Sequence, residues 1–168
     1  MPESWESGLE PVTFRPIGII RTPFTDTDGM PVQAVAATGV AGSIELDPAY
    51  AEGLADLDGF SHLTLLYHLH GMTRARLTVT PYMDDRPHGL FATRSPARPN
   101  PIGLSTVRLV GIEGTTLRIE DVDMLDGTPL LDIKPYVPQL DDRPDARIGW
   151  YLGRVDRVGE IKSDRRFP

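Results

Sequence analysis

Sixteen prolines and sixteen glycines are scattered along the whole of a 168-residue chain, and that dispersal limits what the chain can fold into. Proline lacks the backbone N–H of a helix interior, and glycine costs about 1 kcal/mol there relative to alanine. Long helices are thereby disfavoured. What remains between the breakers reads as short strands: Val12 to Arg21, Gly42 to Leu46, Ser61 to His70 and Leu77 to Thr80. Gly103 to Ile112 and Thr115 to Val122 form a predicted hairpin around Glu113-Gly114, and a tight turn at Asp126-Gly127 leads into Leu130 to Ile133. Asp47-Pro48 reads as an N-cap followed by proline at the first helical position, which starts a short helix to about Leu57. The expected class is mainly β, an antiparallel barrel or sandwich with one or two short helices rather than a βαβ array.

The length suits one domain with a real core. With no cysteine in the chain, disulfides, thiolate chemistry and Cys-ligated metal clusters are excluded. The first residues are acidic and polar, unlike a secretory signal, and no apolar run reaches the length of a membrane helix, so a cytoplasmic location and no membrane partner are expected. The first eleven residues and the basic end Lys162 to Pro168 read as loosely ordered tails. Twenty-four acidic against 17 basic residues leave a net charge of −7. A nucleic acid would therefore need a local basic patch, for which Arg74, Arg76, Arg86 and Arg98 are candidates; solvated loop arginines are the plainer reading.

No Rossmann glycine loop, P-loop, H-E-x-x-H or G-x-S-x-G occurs. The segment Asp84 to Ser105 carries the strongest local signal. Pro96, Pro99 and Pro101 stiffen it, while Arg94 and Arg98 offer planar forks suited to a carboxylate or phosphate. A stiffened crossover between strands would have the same composition. His62, His68 and His70 share one parity on a strand, opposite Leu63, Leu65, Tyr67 and Leu69. They suit either a metal or hydrogen bonding at a barrel mouth; no third-ligand spacing supports the metal, and none is expected. Glu120, Asp121, Asp123, Asp126 and Asp132 crowd a segment that spacing alone reads as a solvated turn; the other reading is that one aspartate accepts from ribose hydroxyls while Val122 and Leu125 supply apolar walls.

Six blocks in one order carry a resemblance to a known family: RPIGIIRTPF (Arg15–Phe24), PVQ (Pro31–Gln33), GSIELDPAY (Gly42–Tyr50), LDGFSHLTLLYHLH (Leu57–His70), GLFATRSPARPNPIGLS (Gly89–Ser105) and DMLDGTPLLDIKPY (Asp123–Tyr136). Together they resemble the TrmO (TsaA-like) family of S-adenosylmethionine-dependent tRNA methyltransferases. The resemblance implies a small non-Rossmann antiparallel β-barrel over residues 12–140, an N-terminal tail over 1–11 and a C-terminal extension over 141–168. It also implies a homodimer with the cofactor site near the subunit interface. The expected acceptor is N6 of threonylcarbamoyladenosine next to the anticodon of tRNA; a small-molecule methyltransferase and a non-catalytic binder of the same cofactor are the alternatives.

Carried over residue by residue, the resemblance implies a cofactor site made of Gln33, Ala34 and Val35, His70 and Gly71, Arg94, Leu104, and the turn Glu120, Asp121, Val122 and Asp123. The chemistry of these side chains is compatible with it. Arg94 can grip the carboxylate of S-adenosylmethionine, Asp123 suits its ribose, and Leu104 with the Val122 region offers adenine an apolar slot. Asp126 is the expected proton acceptor, chosen from Asp126, His70, Lys134 and Tyr136 because a tight turn would fix its direction. The family does not constantly carry an imidazole at the place of His68.

Overall fold

A computed structural model describes residues 10–164 and 167. Most of the tail expected over 1–11 lies outside the described residues, as do Arg165, Arg166 and Pro168 of the basic end. Among the described residues there are eight strands: β1 (Gly18–Arg21), β2 (Ala41–Leu46), β3 (His62–His68), β4 (Thr78–Val79), β5 (His88–Gly89), β6 (Ile102–Glu113), β7 (Thr116–Glu120) and β8 (Thr128–Pro135). Six of them close into an antiparallel barrel in the order β1-β2-β7-β6-β3-β8, and β4 and β5 pair separately. Closure leaves no open sheet edge in the barrel.

Alternation of side chains puts one face of each strand inside. Leu63, Leu65 and Tyr67 of β3 meet Val107 of β6, Leu117 and Ile119 of β7, and Ile20, Ile44 and Leu130. All are buried; each aliphatic side chain so enclosed contributes roughly 1.5–3 kcal/mol relative to exposure. The predicted hairpin is present, with β6 paired to β7 from Arg108↔Glu120 to Glu113↔Thr116 through an irregularity between Leu109 and Gly111.

Three local expectations change. The strand predicted from Val12 begins only at Gly18, because Pro16 has no N–H to give a ladder and the first pairings to β2 and β8 both start at Gly18. The short helix is a 3₁₀ segment, Pro48–Leu54, whose Asp47 carboxylate accepts from Ala49 N at 2.9 Å as a cap should. Asp56 then takes a left-handed φ of 63°, which ends the run and starts a second 3₁₀ turn, Leu57–Gly59. The basic end is not a loose tail where it is described: Lys162 bridges to Pro31, the Ser163 backbone exchanges hydrogen bonds with Gly29 and Met30 at 2.9 Å each, and Phe167 is buried against Val79, Leu90 and Ala97. Its charges hid one aromatic anchor.

Candidate functional site

The loop between β5 and β6 is held by its own side chains. Thr93 and Ser95 are buried and tie the loop to itself, Thr93 Oγ1 donating to Leu90 O at 2.7 Å and Ser95 N donating to Thr93 Oγ1 at 3.2 Å. Arg98 donates to the carbonyls of Thr93 and Ser95 at 3.1 and 3.4 Å, so this guanidinium staples the loop. Arg94 points elsewhere. Its Nη1 donates to Gln33 Oε1 at 3.0 Å, across a pocket of about 480 Å³ that both residues line.

Opposite Arg94 lies a buried polar chain. Tyr67 Oη and Ser105 Oγ are 2.9 Å apart, and Ser105 Oγ donates to Asp123 Oδ1 at 2.6 Å. Tyr67 reaches this position because Gly103 faces it across β3 and β6; a Cβ at Gly103 would overlap the Tyr67 ring. Asp123 is delivered by Asp121, whose φ of 69° turns the chain after β7 while its Oδ1 accepts from Gly39 N at 2.7 Å. That turn sends Val122 into the barrel core and Asp123 into the pocket. Burial pushes the Asp123 carboxyl up to about 6, opposed by the Ser105 hydrogen bond, the amides of Asp123 and Ala34, and the Arg94 charge. The Tyr67 phenol is raised as well, chiefly by burial and then by the Asp123 charge.

Of the residues expected at the site, Gln33, His70, Gly71, Arg94, Leu104 and Asp123 line this one pocket. The others stand behind or beside it. Ala34 reaches it through its amide, Val35 is exposed, Glu120 faces Arg108 at 4.0 Å, and Asp121 and Val122 act as the turn and the core residue just described. Asp126 is not among the lining residues. Its Oδ1 accepts from Thr22 N at 3.1 Å and its Oδ2 sits 3.8 Å from Arg21 Nη1.

The three histidines of one parity do not converge. His62 meets Ser61 Oγ at 2.9 Å and the Tyr136 ring, and His68 lies at the opposite end of β3. His70, beyond that end, lies 3.4 Å from Thr128 Oγ1. Among the described residues no group of three His, Cys, Asp or Glu is placed to hold a metal ion.

Sequence reasoning missed the rest of the pocket wall. Tyr67 stands in the register of core leucines, and Ser105 occupies an inward position that any small apolar residue would fill; neither looks functional on its own. Met30, Met72, Tyr82, Tyr151, Ser163 and Phe167 also line the pocket, and the last three come from the segment expected as an extension. Their one signal was aromatic residues in a polar stretch.

A polar corner with a guanidinium, an amide and a buried carboxylate, beside a wall of Met30, Met72 and Leu104, fits a ligand that is a zwitterion at one end and flat at the other. Comparisons with known proteins agree. The model of the tRNA-methyltransferase O N-terminal domain matches residues 19–142. A Pyrococcus abyssi protein named as a probable S-adenosyl-L-methionine-binding protein is 53% identical over 156 residues, 93% of this chain and 85% of its own length. The Escherichia coli tRNA (adenine(37)-N6)-methyltransferase is 37% identical over 143 residues, 79% of this chain and 61% of that protein. A crystal structure of TrmO from Pseudomonas aeruginosa superposes with a TM-score of 0.71 at 40% identity, covering 84% of this chain and 63% of that one. The chain thus spans somewhat under two thirds of these two bacterial proteins.

Proposed function

The chain belongs to the family of the tRNA-methyltransferase O N-terminal domain, and from that membership we propose that it is an S-adenosylmethionine-dependent methyltransferase acting on N6 of an adenosine in tRNA. The finer proposal is that this adenosine carries a threonylcarbamoyl group and adjoins the anticodon. The observation that carries the reading is the facing pair of Arg94 and buried Asp123 in one pocket.

The residues fit the cofactor. Arg94, steadied through Gln33, has further N–H donors for an amino-acid carboxylate. Asp123, fixed by Ser105 and in turn by Tyr67, offers an acceptor to hydroxyl or ammonium groups and a negative charge to a sulfonium. Leu104 and the methionine wall suit the flat ring. Bound there, S-adenosylmethionine supplies an electrophilic methyl group, so the protein has to provide orientation rather than covalent chemistry, a contribution of about 7–11 kcal/mol in well-aligned cases.

For the proton that leaves the acceptor nitrogen, Asp126 is the candidate from the sequence. In Asp126→Asn, turnover at saturating donor and RNA falls if Asp126 takes that proton, and stays if the carboxylate serves only to brace Thr22. Exposed Val35 and Leu104, at 72% and 55%, suit a second copy of the chain beside the pocket, in keeping with a homodimer.

The test is methyl transfer from radiolabelled S-adenosylmethionine to tRNA with and without the threonylcarbamoyl group. Label on the modified tRNA alone supports the finer proposal, label on both only the coarser. A protein that binds the donor and labels neither is a binder or acts on a small molecule.

A further inference from the structure

The pocket has a second side that the proposed donor contacts leave unused. The segment after the barrel returns to the β5–β6 loop and docks on it: Trp150 Nε1 donates to Ala92 O at 2.7 Å. His88 stacks on Trp150 with centroids 4.4 Å apart and planes at 22°, and Trp150 stacks on Tyr151 at 4.0 Å and 26°. Of these three rings only Tyr151, at the end of the stack, lines the pocket. The stack is locked from outside: Asp84 Oδ2 lies 3.0 Å from His88 Nε2 and 3.4 Å from Arg154 Nη2. Two residues of the same loop stand beside it. Phe91, 76% exposed, neighbours the docked Ala92, and Arg98 lies over its ring at 5.8 Å and lines the pocket too.

A run of parallel rings that ends in a cavity is a surface on which a flat heterocycle continues the stack. Base–aromatic stacking of this kind is how single-stranded nucleic acid is commonly held. The charge near it has the matching sign: Arg98, not used by the donor, lines the pocket of a protein whose net charge is −7.

We infer that Tyr151 is the acceptor-side platform, on which the adenine to be methylated stacks, with Trp150 and His88 holding its plane. Phe91 and Arg98 form the adjoining contact for the neighbouring nucleotide of a single-stranded loop. The inference rests on the tRNA reading and deepens it by naming the residues that meet the RNA.

The experiment uses the full chain, S-adenosylmethionine and threonylcarbamoylated tRNA, and compares wild type with Tyr151→Ala, Tyr151→Phe and Phe91→Ala. Donor affinity comes from calorimetry; KM for tRNA and kcat come from methyl transfer. Expected for Tyr151→Ala is a KM for tRNA raised about tenfold or more, the scale of one lost stacking contact, with donor affinity and melting temperature near wild type. Tyr151→Phe restores KM, which a lost hydroxyl contact would not allow. Phe91→Ala, on an exposed side chain that leaves the fold intact, raises KM as well. The inference is overturned if KM is unchanged in both alanine variants, or if Tyr151→Ala weakens donor and tRNA equally. Wild type that binds the donor but methylates no RNA overturns the tRNA reading itself.

Discussion

Asp123 shows how much of the site depends on single residues. Its carboxyl is raised to about 6 by burial, so between the ordinary carboxyl range near pH 4 and pH 6 the folded protein holds a proton that the unfolded chain has released. Stability without ligand therefore falls as pH rises through that window, and the full cost of a buried charge is present above it. A cationic ligand reverses the balance. S-adenosylmethionine affinity, measured by calorimetry from pH 5 to 8, is expected to weaken as pH drops through about 6, and Asp123→Asn is expected to bind weakly at every pH with that dependence gone. Gly103 is the second such residue. Gly103→Ala forces the Tyr67 ring off β6 and detaches it from Ser105; a loss of about 1–3 kcal/mol in denaturant unfolding is expected, as for an overpacked core, together with weaker donor binding.

Among the elements, the segment from Gly149 to Phe167 has more work than its composition suggests. It supplies pocket residues, and Phe167 packs edge-on against Tyr82 with ring centroids 5.3 Å apart. Phe167→Ala is expected to cost about 3 kcal/mol, read as a lowered melting temperature, and to weaken the donor through the disturbed wall. This element was also the least legible. The barrel strands could be read from alternation in Leu63, Leu65 and Tyr67 and from the Glu113-Gly114 and Asp126-Gly127 turns, which are local signals. Arg94 stood out because prolines surround it. By contrast, Ser105 and Tyr67 acquire their role only when β3 and β6 pair, and Phe167 only when the chain has returned across the β4–β5 pair. Long-range pairing leaves no mark in a short window. The strand predicted from Val12 starts late for a related reason: Val12 to Pro16 suit a strand by composition, but the backbone bonds to Leu130 of β8 and to Asp47 begin at Ile17.

At the level of the whole molecule, a closed barrel provides the wall, and connections between its strands bring Arg94 and Asp123 to the pocket. An acidic protein that holds RNA through a few arginines should do so with a shallow salt dependence, because few phosphates are neutralised. If two copies meet beside the pocket, Leu104→Asp should give monomers by analytical ultracentrifugation and weaken the donor at the same time. Everything above depends on the pocket being a methyl-donor site held at Arg94. Titration of S-adenosylmethionine into wild type and Arg94→Ala at neutral pH tests that most directly. Saturable binding to wild type, weakened at least tenfold in the variant, is the predicted result, since a charge-assisted hydrogen-bonded pair is worth about 1.5–3 kcal/mol. Equal affinity in the two proteins, or none in wild type, would contradict it.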